Sequence, residues 1–309
     1  MADIKVLNID QKQDVFSLVM YKLKDYAEFI KLRLTYLVVF SAAAGFVMGV
    51  GATENSTDGL VWNRLLMLVI GGFLITGSSN GFNQIIERDI DGLMDRTSKR
   101  PLPDNRMTVF EAYMLATTMG VIGIIILFVY INPLSAMLGI LALVLYTLAY
   151  TPLKRKTPFA VLVGAFPGAI PPMLGWVAAT NGLGIEALIL FAIQFIWQFP
   201  HFWSIAWVLD DDYKKAGFKM LPANGGRVKS SAFLVLVYTI GLLPVSLLPI
   251  LFNMSGNIAA GIIMISGIWF IYYAMQLYKS CEISASKKLM YASFIYLPVI
   301  QIALIIDKV

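Results

Sequence analysis

Residues 65–95 read LLMLVIGGFLITGSSNGFNQIIERDIDGLMD. The first part, 65–82, is long and apolar enough to cross a bilayer as a helix. Four groups follow at steps of four: Asn83, Glu87, Asp91 and Asp95. Each such step advances a helix by about 400°, so successive groups are offset by only about 40° and form one polar stripe. Asp89 falls off that stripe. Ionisable groups at the end of a membrane span are costly to place there and mark a candidate functional site.

Working outward, the rest of the chain has the same character. Of its 309 residues, 58% are hydrophobic and 14% charged, against roughly 25% charged in a soluble domain. Apolar runs predict about nine spans, near 34–51, 65–86, 110–131, 134–151, 159–179, 185–209, 231–252, 258–277 and 290–306. The expected fold is all-α and polytopic. Residues 1–33 form an N-terminal segment on the cytoplasmic side, and 34–309 form a single transmembrane domain. With that N-terminus inside, all of the 24 basic residues except Arg64 and Lys308 fall on the cytoplasmic side. The positive-inside rule sets orientation by this asymmetry, which supports an odd number of spans and an outer C-terminus. The first ~30 residues lack the short apolar run of a cleavable signal and carry Asp3, Asp10, Asp14, Asp25 and Glu28, unlike a mitochondrial transit peptide. The expected location is therefore a bacterial inner membrane. One cysteine, Cys281, and one histidine, His201, exclude an intrachain disulfide and any Cys- or His-rich metal site.

Four constellations carry chemistry. The stripe, followed by Arg96, Lys99 and Arg100, offers hard oxygen ligands beside phosphate-binding cations. Mg²⁺ is typically held by one or two carboxylates together with waters and substrate phosphates, and Arg grips phosphate oxygens in bidentate fashion. The plainer alternative is a solvated helix end whose charges only set topology. A second acidic run, Asp210–Asp211–Asp212 followed by Tyr213, Lys214 and Lys215, lies on the same membrane face after span six. Alone it reads as a charged loop, and its weight comes from the pairing. Tyr150 and Lys154, in YTPLKRKTP, offer a phosphate clamp, although basic residues between spans also serve topology. WQFPHFW, Trp197 to Trp203, places His201 among aromatics that could line a slot for a flat substrate or simply pack. His201 is open to three functional roles: axial iron ligand, proton acceptor, or contact to a substrate carboxylate.

Four stretches together resemble the intramembrane prenyltransferases of the UbiA superfamily: NQIIERDIDGLMDRTSKRPLP (83–103), YTPLKRKTPFAVLVGAFPGAIPPMLGW (150–176), WQFPHFW (197–203) and DDDYKKAGFKMLP (210–222). The likeness runs from about Tyr26 to the end, and within the superfamily it is strongest to the heme-farnesylating branch. It implies nine helices around a central cavity and a diphosphate site at the cytoplasmic mouth. The reaction implied is farnesyl transfer from farnesyl diphosphate to a vinyl group of heme B, with addition of water and loss of diphosphate. Heme B is then a substrate, and Mg²⁺ the cofactor. By matched position, the resemblance makes Asn83, Glu87, Asp91, Asp211 and Asp212 metal ligands. Asn83, Glu87, Asp91, Lys154 and His201 become catalytic, and Asp95, Arg96, Arg100, Tyr150 and Trp203 contact substrate. The bilayer is the surrounding partner, a heme A synthase or terminal oxidase the plausible receiver, and no nucleic acid is involved.

Two departures stand out. The second motif usually has two aspartates four apart, but position 208 is Val208. Near the N-terminus a proline usually follows the lysine, whereas Ile30 to Arg33 read IKLR. Two other readings compete. A sister prenyltransferase would act on an aromatic quinone precursor. A secondary transporter would also have broken helices and intramembrane acids, but carriers place such groups near the midplane rather than at one face.

Overall fold

Apolar runs of this length can satisfy their backbone within a membrane only as helices or closed barrels. In a computed structural model, which describes residues 15–50, 59–223 and 225–309, they are helices. The helices are α1 (Val15–Phe29), α2 (Leu32–Val50), α3 (Gly59–Asp91), α4 (Val109–Ile131), α5 (Pro133–Leu153), α6 (Ala160–Thr180), α7 (Ile185–Val208), α8 (Asp210–Lys215), α9 (Lys229–Leu251), α10 (Asn257–Ser280) and α11 (Ile283–Ile306). Among the described residues nine are long and apolar enough to span a membrane, all but α1 and α8. The first fourteen residues of the expected N-terminal segment, and most of the outer loop after the first span, lie outside the described residues.

Most span edges agree with the sequence within a few residues. Two do not. α11 begins at Ile283, seven residues before the expected start. α3 runs from Gly59 to Asp91, so it carries Glu87 and Asp91 as helical residues rather than as part of a loop. It stops there because Gly92 favours termination and the chain turns through residues 92–107. The stripe is therefore three residues long. Asp95 lies beyond the helix, 86% exposed at its side chain, which corrects the expectation of a fourth member.

α6 is the hub, packed along α2, α5 and α7. Its contact with α2 is backbone on backbone. A Cβ built on Gly175 would sit 1.9 Å from the Ala42 carbonyl oxygen, and one on Gly45 would sit 2.0 Å from that of Pro172. Small residues let membrane helices approach this closely. Gly175→Ala is therefore expected to destabilise the bundle by about 1–3 kcal/mol. The check is the thermal midpoint in detergent, with Gly241→Ala as control, since a Cβ at Gly241 meets nothing within 4 Å. Equal midpoints for the two variants would remove the close approach from the account.

Two helices widen into π turns, at Leu127–Ile131 in α4 and Leu145–Tyr150 in α5. The second ends two residues before Pro152, whose missing N–H and ring disturb the i→i−4 ladder; the first ends at the extended Asn132, which caps α4 and starts α5 with Pro133 in its first turn. The second π turn brings Tyr146 and Tyr150 onto the cavity described below. Helix α1 lies outside the bundle. Lys22 and Tyr26 hold Glu111, the N3 residue of the Thr108 capping box that starts α4, and the buried Asp25 pairs with Arg106.

Candidate active site

Asn83, Glu87 and Asp91 are 0%, 3% and 0% exposed, so these polar groups are fully withdrawn from water and need partners. Each has a cation. Lys31 Nζ donates to Asn83 Oδ1 at 2.7 Å, Lys154 Nζ to Glu87 Oε1 at 2.8 Å, and Arg100 Nη1 to Asp91 Oδ2 at 2.7 Å. Asn83 also donates to Thr151 Oγ1 at 3.2 Å, which ties α3 to the end of α5. Three basic side chains thus face two carboxylates and one carboxamide. Burial pulls the Lys31 ammonium well below its usual range, and Arg100 and Lys154 nearby push the same way. Burial also pulls Lys154 down, but Glu87 more than reverses that, and Lys154 holds its proton more tightly than a free lysine.

Lys31 was not among the residues expected here. It occupies the junction of α1 and α2 with φ 50°, a left-handed conformation that a lysine rarely adopts. Such strain clusters at functional sites. The only local signal for it in the sequence is IKLR, Ile30 to Arg33, a basic residue just before the first span.

Lys154 is placed by its neighbours. Its Nζ lies 4.8 Å from the Tyr150 ring centroid and 5.6 Å from that of Phe218, and its carbonyl accepts from the Lys219 N–H. Tyr150 fits because Gly164 faces it; a Cβ there would meet the ring at 2.6 Å.

The second acidic run reaches the same mouth by a different route. Asp212 accepts from the backbone N–H groups of Asp95 and Arg96, at 2.9 and 3.4 Å. Burial pushes its carboxyl up, but those hydrogen bonds and Lys215 outweigh burial and hold it below the usual range. Lys215 bonds Asp95 at 2.6 Å. Asp211 is 73% exposed and pairs with Arg227, while Asp210 pairs with Lys214. Arg227 also reaches the Val208 carbonyl, where the second motif usually has its first aspartate. Among the described residues no three His, Cys, Asp or Glu side chains form a cluster that could hold a metal. The first motif nevertheless suits one. Its donors are hard oxygens, and Asp91 Oδ1 is buried with no hydrogen-bond partner. A site with two carboxylates and one carboxamide fits Mg²⁺ that completes its shell with water and phosphate oxygen. Arg96 is exposed.

Behind this mouth lies a largely apolar cavity of about 240 Å³, open on one side. It is walled by α2, α3, α5, α6, α7 and α11, and it begins at Asn80, one turn before Asn83. Leu34, Leu37 and Phe40 on α2 and Phe294 on α11 line it while remaining exposed, so it opens sideways between these helices toward the hydrocarbon. Its polar lining includes glutamines and serines besides Tyr150 and His201. Gln301 bonds Ser41 and Gln194, and Gln198 donates to the Ala165 carbonyl. His201 lines the cavity as well, stacked on Trp197 at 4.3 Å and 16°. Trp203 does not line it. It packs between Phe199 and Tyr238 on the other side of α7, so any substrate contact it makes does not come from this cavity.

Comparison with known proteins agrees with this picture. The UbiA prenyltransferase family profile matches residues 38–297. A protoheme IX farnesyltransferase of Cytophaga hutchinsonii is 48% identical over 284 residues, 92% of this chain and 97% of that protein. One from Flavobacterium psychrophilum is 48% identical over 289 residues, 92% and 94% of the two chains. Among solved structures, a digeranylgeranylglyceryl phosphate synthase superposes with a TM-score of 0.76 at 20% identity, covering 93% of this chain and 98% of its own. A UbiA homolog from Archaeoglobus fulgidus bound to GPP and Mg²⁺ gives 0.64 at 16% identity, covering 91% and 99%.

Proposed function

The chain belongs to the UbiA prenyltransferase family, and from that premise we propose that it joins a farnesyl group from farnesyl diphosphate to a vinyl group of heme B, giving heme O. The observation that carries this reading is an apolar cavity whose lining reaches Asn80, one helical turn from a buried, cation-clamped Asn83–Glu87–Asp91 column. The near-half identity to proteins named protoheme IX farnesyltransferase, over almost the whole of each chain, supports heme as the acceptor.

Asn83, Glu87 and Asp91 would hold Mg²⁺, which when bound neutralises charge on the departing diphosphate. The protein's own part is binding, orientation and exclusion of water. Lys31, Lys154 and Arg100 spend the resting state on the three motif residues and are the cations within reach of a polyanion. Exchanging a carboxylate for phosphate oxygens keeps Lys154 and Arg100 paired, and Lys31 would exchange the Asn83 carboxamide oxygen for one. The C–O bond of the allylic diphosphate then breaks with its electron pair leaving on oxygen. The farnesyl carbon is attacked by the vinyl π electrons, the new cation is delocalised toward the porphyrin, and water adds with loss of one proton. The apolar lining keeps other water away from the allylic cation. Asp212 and Lys215 bind the two cytoplasmic loops into one mouth, and Asp211 would have to leave Arg227 to reach a second metal.

The protein is a multi-pass membrane prenyltransferase. The charge asymmetry supports a bacterial inner membrane with the mouth and N-terminus cytoplasmic and the C-terminus outside. Heme O would pass to a heme A synthase or a terminal oxidase. The test is to supply membranes containing the protein with heme B, farnesyl diphosphate and Mg²⁺ and weigh the extracted hemes. A heme heavier by farnesyl plus water is expected. Diphosphate release only with an aromatic quinone precursor would move the chain to a sister activity.

The two tryptophans separate cavity from core. Trp197→Ala is expected to raise KM for the acceptor about tenfold, since a stacked aromatic partner is worth about 1 kcal/mol or more. Trp203→Ala is expected to leave that KM alone and lower stability by about 3–5 kcal/mol. The reverse assignment in steady-state kinetics and thermal melts would place the substrate on the other face of α7.

A further inference from the structure

His201 is the one histidine in the chain, and its ring is fixed on every side the structure describes. Trp197 stacks on it, and Phe294 meets it edge-on at 4.8 Å and 82°. Its Nδ1 lies 2.7 Å from Ser293 Oγ. The Ser293 hydroxyl also lies within donating distance of the Met290 carbonyl, at 2.6 Å. With its single proton on that carbonyl, Nδ1 is the donor, the ring is the Nδ1–H tautomer and the lone pair sits on Nε2; in the opposite tautomer the hydroxyl would donate to Nδ1 instead. Nε2 hydrogen-bonds none of the described residues and is not among the fully buried atoms without a partner, and it belongs to a side chain that lines the cavity.

We infer that His201 Nε2 is the axial ligand that seats heme B by its iron in the cavity, with Ser293 setting the tautomer from α11. This rests on heme B being the acceptor. A neutral imidazole whose Nδ1–H is tied to an oxygen, with a lone pair aimed into an apolar space, is the usual form of a histidine ligand. The step is simple donation: the Nε2 lone pair fills an open axial position of the iron, no electron is transferred, and no proton moves. A proton acceptor is the poorer reading. Among the described residues no carboxylate hydrogen-bonds the ring to stabilise an imidazolium, and its surroundings are aromatic. Ligation at one fixed point would also stop the flat, largely apolar macrocycle from sliding, so that one edge meets the diphosphate end.

The test uses the full chain in detergent, titrated with heme B without a prenyl donor. The expected result is the absorption and paramagnetic resonance spectrum of histidine-ligated heme. His201→Ala should lose that spectrum, bind heme at least about tenfold more weakly, and regain the spectrum with added imidazole. In the unaltered protein, resonance Raman on the ferrous complex should show an iron–imidazole stretch that shifts in Ser293→Ala, a readout that holds even where His201→Ala does not fold. An unchanged spectrum in folded His201→Ala, or no such stretch in the unaltered protein, overturns the ligation while heme O production would still stand. No heme bound by the unaltered protein, with prenyl transfer to another acceptor, overturns the acceptor and the ligation together.

Discussion

Asp91→Asn is expected to cut turnover by about 10²–10³-fold without expelling the protein from the membrane, the scale seen when one preorganised electrostatic contact to a transition state is lost. Asp91 is completely buried. One oxygen holds Arg100 at 2.7 Å and the other has no hydrogen-bond partner, so the group is both half of an ion pair and an open ligand. Asparagine keeps the shape but loses the charge, and it can offer an oxygen to Arg100 or to a metal, not to both. The backbone of the turn should survive, because the Thr97 hydroxyl bonds the Asp91 carbonyl rather than its side chain. The measurement is heme O formation at increasing Mg²⁺, and the metal requirement should rise as turnover falls. Near-normal turnover at ordinary Mg²⁺ would remove Asp91 from the metal role. Asp95→Asn is the matched contrast. Asp95 is exposed and holds only Lys215, an arrangement worth about 0–1 kcal/mol, so its rate should change by roughly fivefold at most.

That contrast also shows where sequence reading works here and where it stops. Nine spans are legible because hydropathy and charge asymmetry act residue by residue. The Asn83–Glu87–Asp91 face is legible because it obeys the period of one helix. Asp95 obeys the same period and still fails, since Gly92 ends the helix that the period assumes. Within α7 the signal was present but mixed. Gln194, Trp197, Gln198 and His201 share a face at steps of three and four, whereas Trp203 lies about 200° from His201. Three polar side chains at that spacing on an apolar helix mark a cavity wall. Lys31 and Gln301 belong to another category. Each meets its partner across a long stretch of chain, Lys31 with Asn83 and Gln301 with Ser41, and no local periodicity encodes such contacts. The π turn at Leu145–Tyr150, which places Tyr146 and Tyr150 on the cavity, is equally hidden.

Lys154→Met should be nearly as damaging as Asp91→Asn, but through two separable effects. Lys154 bonds both oxygens of Glu87, at 2.8 and 3.1 Å, and Glu87 is 3% exposed. Removing the ammonium leaves a buried carboxylate without its counter-charge, which costs about 3–5 kcal/mol when one partner of such a pair is deleted. It also removes one of the three cations that would receive the diphosphate, and kcat/KM for farnesyl diphosphate should fall by about 10²-fold or more. The double variant Glu87→Gln, Lys154→Met tells these effects apart. Replacing both members of a buried pair by neutral groups is often close to neutral for stability, so the thermal midpoint should return most of the way to that of the unaltered protein. Activity should not return, because neither the motif carboxylate nor the phosphate-binding ammonium is restored. If activity recovers together with the midpoint, Lys154 serves only to neutralise Glu87, and the diphosphate would then rest on Lys31 and Arg100.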